Sequence, residues 1–418
     1  MVNRRALLLG GLAASGAGAL FALRPANQGA GGHAPYFAQL NTLLRKAGEG
    51  HPTMIIDLEA LDHNIQMVKT ALESRDQRIV AKSVPSAALI DYISHRSQSN
   101  KLMAFHEPFL NAMGRSTTDI LFGKPMPIAA AAQFYDRPAR QHFDPSEQLQ
   151  WLIDTPQRLD QYAALAKSKQ VSLRVNIEID VGLHRGGIGD PAMLLNMLKK
   201  IDDIPELSFS GLMGYDPHVV KMPALIIEQQ TEFQRVQQRY QQMLEVARPF
   251  GDDLTLNAAG SPTYKLWQEV EGIANELSVG SGFVKPLDFD IPSLAAHMPA
   301  IYIATPVLKS ALGTRTAGVN WVGEAQSLWN PNRAQTIFVY GGYWKAKPVS
   351  PRGLITNPLF GRSSNQEMLN ASAAVNVKVD DYVFYRPTQS ESVMLQFGEI
   401  LAVRNGQIQH RWSPFSWS

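Results

Sequence analysis

Short apolar segments alternate with helical patterns from Ile79 to Ser281, and this alternation constrains the fold more than any other feature of the chain. The segments are short, continuous apolar runs and read as strands that are buried on both faces. Such strands, separated by helices, indicate a parallel sheet. Their number predicts a closed (β/α)₈ barrel of α/β class, with an open doubly wound sheet as the alternative. The predicted strands are Ile79–Ser83, Lys101–His106, Asp119–Gly123, Leu149–Asp154, Leu173–Asp180, Leu207–Tyr215, Leu254–Ala258 and Asn275–Gly280.

Between these strands the apolar residues recur with the period of helices. The predicted helices include Ala87–Ser97, Pro127–Tyr135, Pro156–Lys169 and Ala224–Val246.

The pattern changes after about Pro292, where short apolar runs are separated by Gly, Pro and Asn turns. This change predicts a β-rich C-terminal domain, and Asn405-Gly406 predicts a tight hairpin turn within it. An early strand, Met54–Leu58, is a candidate to join this second domain. The predicted division is a signal and linker over 1–32, a barrel over 33–291 and a β domain over 292–418. The predicted strands of the β domain include Ile301–Leu308, Thr336–Tyr340, Asp381–Tyr385 and Glu399–Val403.

Composition excludes several kinds of function. The formal net charge is +2 over 418 residues, which gives no support for a nucleic-acid or membrane-surface partner. The chain has no cysteine, so disulfides, thiolate metal ligands and cysteine nucleophiles are all excluded.

The N-terminal residues have the order of an export signal. Arg4 and Arg5 precede an apolar run, residues 6–23, that is rich in Leu, Ala and Gly. A twin arginine at this boundary resembles a Tat signal. A membrane anchor is the alternative, although the run is near the lower length limit for a span. The sequence therefore predicts an exported, periplasmic protein, with the cleavage site left open.

Lys82 ends the first predicted barrel strand, at the end of the barrel where enzymes of this architecture place their chemistry. A desolvated lysine at such a place acts as an amine nucleophile toward an aldehyde. Taken alone, a lysine at a strand end is more often a solvated surface group. Its assignment therefore depends on what surrounds it.

Two turns that follow later strands favour an anion site. Leu256–Tyr264 runs from a strand into small residues and hydroxyls, and Asn275–Gly282 ends a strand in Gly and Ser. Exposed backbone N–H groups and hydroxyls in such turns suit a phosphate. Either turn alone could be a plain loop. Both together, with a lysine across the barrel, suit a phosphorylated aldehyde cofactor.

Two further strand ends carry titratable groups. Arg185, after the charged run that begins at Glu178, could hold a cofactor or a substrate carboxylate, and His184 reads as a rim residue. Tyr215 and His218 are candidates for proton transfer or cofactor contact. A packed aromatic ring or a capped turn is the alternative for each.

The order of these motifs from Pro52 to Trp412 resembles the fold-type III pyridoxal-phosphate enzymes, which contain the alanine racemase N-terminal barrel. The most similar subgroup is that of the D-threonine aldolase and D-serine dehydratase-like proteins. The segments that carry the resemblance are Thr53–Leu58 with Asn64, Lys82, Ile179–Gly182 with Arg185, Gly211–Tyr215, Gly260–Thr263, and Glu276 with Gly280 and Ser281.

The resemblance implies that Lys82 carries pyridoxal 5'-phosphate as a Schiff base and serves as a base on one face of the substrate. Tyr215, His218 or a residue of the C-terminal domain is the candidate for the opposite face. The residues that the resemblance assigns to cofactor binding are Lys82, Arg185, Tyr215, Gly260, Ser261, Thr263, Gly280 and Ser281.

The resemblance further implies a homodimeric lyase that acts at the α-carbon of a D-amino acid, by retro-aldol cleavage or β-elimination. An amino-acid racemase is the nearest alternative, and a non-catalytic cofactor-binding protein is a third possibility.

Two positions depart from the resemblance. The aldolases and dehydratases carry a metal-binding His and a Cys or Asp near the C-terminus, where this chain has Gln389 and Glu391. Since glutamine is a poor zinc ligand, we predict no zinc site, although a harder divalent ion stays open. The second departure is Ser278, where alanine racemases carry an arginine that faces the pyridine nitrogen.

Overall fold

The computed structural model describes residues 24–110, 112–113, 119–137, 143–222, 228–314, 319–357 and 360–416. The chain forms two compact units. The barrel unit comprises Ile55–Ile301, Thr388–Arg404 and Ile408–Ser418, and the sheet unit comprises Met1–Met54, Tyr302–Pro387 and Asn405–Gln407.

The barrel unit is built on a closed ring of parallel strands, β2 to β9, in chain order. The ring closes where β9 pairs with β2, with Asp76 opposite Glu276 and Ile79 opposite Val279. This closure confirms the predicted barrel and excludes the open sheet. The strands up to β9 are β1 (Thr53–Asp57), β2 (Asp76–Val80), β3 (Lys101–Ala104), β4 (Asp119–Phe122), β5 (Leu149–Ile153), β6 (Leu173–Ile179), β7 (Leu207–Gly214), β8 (Thr255–Ala258) and β9 (Glu276–Val279).

Several of the helices between the strands begin after a residue whose side chain accepts hydrogen bonds from free N–H groups of the first turn. Asp57 accepts hydrogen bonds from two backbone N–H groups of the next helix, and Asp190 and Thr155 each cap one helix. The described helices are α1 (Pro35–Ala47), α2 (Leu58–Leu72), α3 (Ala87–Ser97), α4 (Glu107–Leu110), α5 (Ile128–Asp136), α6 (Pro145–Gln148), α7 (Pro156–Lys169), α8 (Pro191–Asp202), α9 (His218–Lys221), α10 (Gln229–Ala247), α11 (Ser281–Val284), α12 (Asn320–Trp329) and α13 (Glu391–Met394).

Most predicted strands extend one or two residues past the observed carboxyl ends. The correction matters most at the first one, because β2 ends at Val80 and Lys82 lies in the 3₁₀ turn Ala81–Ser83 that follows. The Val84 N–H closes this turn on the Ala81 carbonyl at 3.2 Å. Lys82 is therefore presented from a turn rather than from the strand itself.

A group of charges is buried inside the barrel. Arg78 is fully buried, and its guanidinium lies 2.7 Å from Glu276 and 2.6 Å from Asp119. These carboxylates hold the pKa of Arg78 above its usual value despite its burial. Burial of such charges is tolerated because each one is paired.

The sheet unit is antiparallel among the strand pairs described. In it β10 pairs with β11 and β15, β11 with β14, β14 with β13, and β15 with β12. Its core includes fully buried side chains such as Ile303, Ile337 and Leu369. The later strands are β10 (Ile301–Leu312), β11 (Gln335–Tyr340), β12 (Ala346–Ser350), β13 (Ile355–Thr356), β14 (Gln366–Ala371), β15 (Tyr382–Pro387), β16 (Ile400–Arg404) and β17 (Gln407–Trp412).

The turn between β16 and β17 is the predicted Asn405-Gly406. Both residues have positive φ, 51° and 66°, which is the backbone conformation that favours Asn-Gly in tight hairpins.

The compact units differ from the predicted division at 291/292. Residues 388–404 and 408–416 pack with the barrel, and the boundary between the units passes through β1, after Met54. Residues 24–31, predicted as linker, are attached to the sheet unit, since the Asn376 N–H donates to the Gly31 carbonyl at 3.0 Å.

The predicted signal, with Arg4, Arg5 and the apolar run 6–23, lies outside the described residues. Within the described part of the chain, no helix has both the length and the apolar character needed to cross a membrane.

Candidate active site

A cavity of about 620 Å³, including its open mouth, lies at the carboxyl ends of the barrel strands. This is the size range of small-molecule sites, and all of its lining comes from the barrel unit. The predicted residues that line it are Lys82, Arg185, Tyr215, Gly260, Ser261, Gly280 and Ser281.

Lys82 reaches into this cavity between a carboxylate and an aromatic ring. Its Nζ lies 3.0 Å from Glu391 Oε1 and 4.5 Å from the centroid of the Phe105 ring. The side chain is 34% exposed, so the amine stays accessible from the cavity mouth. The 3₁₀ turn after β2 thus presents a nucleophilic amine beside a group that can exchange a proton with it.

The two predicted anion turns meet at Ser261. The N–H groups of Gly280 and Gly282 both donate to Ser261 Oγ, at 3.0 and 2.9 Å. Ser281 Oγ donates to Ser83 Oγ at 3.1 Å, which links these turns to the turn that carries Lys82. Because the Ser261 hydroxyl accepts both N–H groups, its own proton can be donated to an anion in the cavity, which Ser261 lines.

Gly280 permits this close approach. A Cβ at Gly280 would lie 2.7 Å from Val80 Cβ and 2.8 Å from Ser83 Oγ, which is too close for any larger residue without movement. The turn after β9 can therefore contact the turn after β2 because Gly280 has no side chain.

Arg185 and Tyr215 form the charged side of the cavity. The Arg185 guanidinium carbon lies 4.9 Å from the centroid of the Tyr215 ring, a cation–π distance. Burial raises the pKa of Tyr215, while Arg185 opposes that shift. The hydroxyl therefore stays protonated through the neutral range and can donate a hydrogen bond.

Glu178, at the end of β6, lies behind this charged side and does not line the cavity. Burial raises its pKa to about 7, although Arg185 lowers it. The crowding of charges that the sequence shows at the end of this strand is thus present in the fold, and it includes one carboxyl group with a raised pKa.

Asp180 holds the loop that leads to Arg185. Its carboxylate accepts the N–H groups of Gly182 and His184, at 2.9 and 3.0 Å, and lies 2.7 Å from His184 Nδ1. The His184 ring is 75% exposed, as expected for a rim residue. Asp180 thus acts on the local geometry of the loop.

Thr263 and His218 do not line the cavity. Thr263 Oγ1 donates to the buried Asp216 at 2.6 Å and accepts from the Gly260 N–H at 3.2 Å, so it supports the first anion turn from below. His218 lies with its Nε2 3.3 Å from Glu232 Oε1, behind the cavity wall. Its predicted part in proton transfer would need a change in this arrangement.

Ser278 lies on the cavity lining and is held by Asn257. The Asn257 amide donates to Ser278 Oγ at 2.9 Å and to Glu276 at 2.8 Å. The group that the cavity presents at this place is therefore a neutral hydroxyl.

The two positions compared with metal ligands have other partners. The Gln389 amide donates to Asp288 at 3.1 Å, and Glu391 pairs with Lys82. Among the residues that the structure describes, no three His, Cys, Asp or Glu side chains gather in a way that could hold a metal ion.

Sequence reasoning missed several lining residues. Glu391 was considered as a metal ligand, whereas its contact is with Lys82. Phe105 and Phe289 line the cavity and gave no signal in the sequence beyond apolar character. Phe105 directly follows β3, so the rule that strand ends build the site could have found it.

A comparison with known protein families shows which family this chain belongs to. The alanine racemase N-terminal domain matches residues 56–285, which include all the barrel strands from β2 to β9. The chain belongs to this family. The family match ends one residue after α11, the helix that follows the second anion turn.

Relatives and solved structures agree with the family. A D-threonine aldolase of Arthrobacter sp. is 26% identical over 133 residues, 31% of this chain and 34% of that protein, so the match spans about a third of its length. The D-threonine aldolase of Filomicrobium marinum has a TM-score of 0.67 at 18% identity, covering 87% of this chain and 96% of that one.

Two further structures share the fold. The D-threo-3-hydroxyaspartate dehydratase of Delftia sp. HT23 has a TM-score of 0.63 at 18% identity, with 88% and 98% coverage. An alanine racemase of Clostridium difficile 630 has a TM-score of 0.62 at 13% identity, with 87% and 98% coverage. These likenesses establish a shared fold with enzymes of different reactions.

The residues of this family member fit pyridoxal phosphate. Lys82 would supply an amine for the aldehyde, and the hydroxyls of Ser83, Ser261 and Ser281 on the cavity lining would supply hydrogen-bonding groups for the phosphate. Val80, Met103 and Met213 line the cavity and offer apolar surface to a flat ring. The donor types and their grouping in one cavity thus match the three parts of the cofactor.

Proposed function

We propose that this protein is a pyridoxal-phosphate-dependent lyase that acts at the α-carbon of a D-amino acid, as a D-threonine aldolase or D-serine dehydratase-like enzyme. The observation that carries the proposal is a single cavity that is lined both by Lys82 and by the two turns that meet at Ser261. Family membership supports the cofactor, and the aldolase and dehydratase neighbours support the substrate class.

The side chains of the cavity have distinct tasks in this proposal. When bound, pyridoxal phosphate supplies an electron sink for a bond broken at the α-carbon. Lys82 attaches the cofactor and moves protons on one face, with Glu391 close enough to exchange a proton with its nitrogen. Tyr215 keeps its proton, and Arg185 is a permanent cation that can pair with a substrate carboxylate.

We extend the proposal to the whole protein in two respects. Arg4 and Arg5 before the apolar run support export by a Tat-like signal. The resemblance to the fold-type III enzymes supports a homodimer.

The cofactor is tested by reconstitution. Protein incubated with pyridoxal phosphate and desalted is expected to show an absorbance band near the visible edge. Lys82→Ala removes the attaching amine and should abolish the band, whereas Lys199→Ala, on the exposed face of α8, should retain it. A reconstituted wild-type protein without the band would contradict the proposal.

The reaction is tested with the D- and L-forms of threonine, serine and alanine. Release of an aldehyde indicates an aldolase, and a keto acid indicates a dehydratase. Loss of optical rotation alone indicates a racemase and would overturn the lyase proposal, as would a lack of turnover with all six. Glu391→Gln should lower turnover at least tenfold, because a side chain that takes part in proton transfer contributes roughly this factor or more to the rate. The variant should keep the cofactor band.

The same assay tests the metal. Because Gln389 and Glu391 have other partners, we expect a chelator to leave turnover unchanged. Turnover that a chelator abolishes and zinc restores would contradict this expectation.

A further inference from the structure

One face of helix α12 in the sheet unit is apolar and exposed. Trp321, Ala325, Leu328 and Trp329 follow the i, i+4, i+7, i+8 spacing that places side chains on one helix face. Trp321 is 68% exposed, Leu328 79% and Trp329 43%. We call these four residues the α12 face.

The chain just after β10 packs against the other side of α12, the side that carries Gly323 and Ser327. Gly313, directly after β10, lies against α12, since a Cβ at Gly313 would be 3.7 Å from Ser327 Oγ. Leu312, the last residue of β10, is 83% exposed. Exposed apolar surface of this kind marks an interaction site more often than a random surface does.

The path of the N-terminal chain indicates what covers the α12 face. Arg24 Nε donates to the Trp329 carbonyl at 3.1 Å. Asn332, just beyond α12, accepts the Gln28 N–H at 2.8 Å and donates to the Ala26 carbonyl at 2.8 Å. Residues 24–28 are therefore fastened to the end of α12 by side-chain and backbone hydrogen bonds.

The apolar run 6–23 thus joins the folded unit directly beside the α12 face. Eighteen residues without a charge are close to the length that crosses the hydrocarbon core of a bilayer. Where such a run leaves the bilayer, the neighbouring residues lie at the lipid interface, and Trp is the side chain enriched there.

We propose that the α12 face is a membrane-contact surface, which lies on the lipid interface in chains that retain the apolar run 6–23. The apolar run is at the short end of the range for a bilayer span and contains four glycines, so it attaches the protein weakly when alone. The run and the two tryptophans then attach the sheet unit to the membrane together. This inference is independent of the reaction that the barrel performs.

The test uses the full chain with vesicles of phosphatidylcholine and phosphatidylglycerol. The intact mass of the protein is measured first, to verify that the chain retains residues 6–23. The double variant Trp321→Ser/Leu328→Ser should lower the vesicle partition constant, measured by flotation over a series of lipid concentrations, roughly a hundredfold or more, as expected for losing two buried apolar side chains. Met193→Ser/Met298→Ser, two exposed apolar side chains of the barrel unit, should float like the wild type.

A second measurement does not depend on how the variant folds. Brominated lipids should quench the tryptophan fluorescence of the full wild-type chain, and less that of the α12 variant, because Trp321 and Trp329 lie at the interface while the other described tryptophans are buried, namely Trp151, Trp267, Trp344 and Trp412. Unchanged flotation of the α12 variant, or no quenching in the wild type, would overturn the proposal. The proposal would also be overturned if the α12 variant floated like the wild type but self-associated more weakly, as measured by its molar mass over a range of protein concentrations. A second copy of the chain would then cover this face.

Discussion

At the scale of single residues, the burial of Glu178 makes stability depend on pH. Its pKa, raised to about 7, means that the folded protein keeps a proton that the unfolded chain loses near pH 4.5. The free energy of unfolding of the cofactor-free protein should therefore fall as the pH rises from about 4.5 to about 7. A shift of this size corresponds to at most about 3 kcal/mol.

Glu178→Gln should flatten this part of the pH profile, because the amide does not titrate. The measurement is chemical denaturation at several pH values, with Glu245→Gln, an exposed residue of α10, as the matched control. An unchanged slope in Glu178→Gln would show that the carboxylate is already charged at pH 5.

At the scale of elements, the contact between the turns after β2 and β9 sets the site. Gly280→Ala would place a methyl group 2.7 Å from Val80 Cβ, so the turn must move and its N–H groups must leave their positions. We expect cofactor affinity to fall about tenfold and the free energy of unfolding to fall by about 1–3 kcal/mol, the usual range for overpacking. Cofactor titration by absorbance and denaturation measure the two effects.

Gly398→Ala is the control for this element, because nothing lies within 4 Å of the added methyl group. It should leave both quantities unchanged. If Gly280→Ala bound the cofactor as tightly as Gly398→Ala, the close contact of the two turns would have no part in binding.

The same element shows how far sequence reasoning reaches. The alternation of strands and helices predicted the barrel, and small residues after β8 and β9 predicted the anion turns, because both depend on local pattern. The convergence of the Gly280 and Gly282 N–H groups on Ser261 depends on tertiary placement and could not be predicted. The same holds for the contact of Glu391 with Lys82, which joins residues 309 positions apart (391 − 82).

At the scale of the whole molecule, only some of the limits of the two units could be predicted from the sequence. A break in pattern near Pro292 predicted a second domain, and a sheet unit does follow there. The return of residues 388–404 to the barrel unit had no local signal, since it depends on contacts far along the chain. That return is what brings Glu391 into the cavity.

Because the barrel unit supplies the whole cavity lining, cofactor binding should stabilise that unit specifically. A ligand at 100 times its dissociation constant stabilises a folded protein by about 2.7 kcal/mol. In hydrogen exchange, pyridoxal phosphate should protect peptides that contain Ser261 and Gly280, and leave those of β11 and β14 unchanged. Lys82→Ala should show weaker protection at the same turns, because the phosphate contacts remain after the covalent link is lost. Equal protection of β11 and β14, or none at the two anion turns, would mean that the cofactor binds elsewhere than in this cavity.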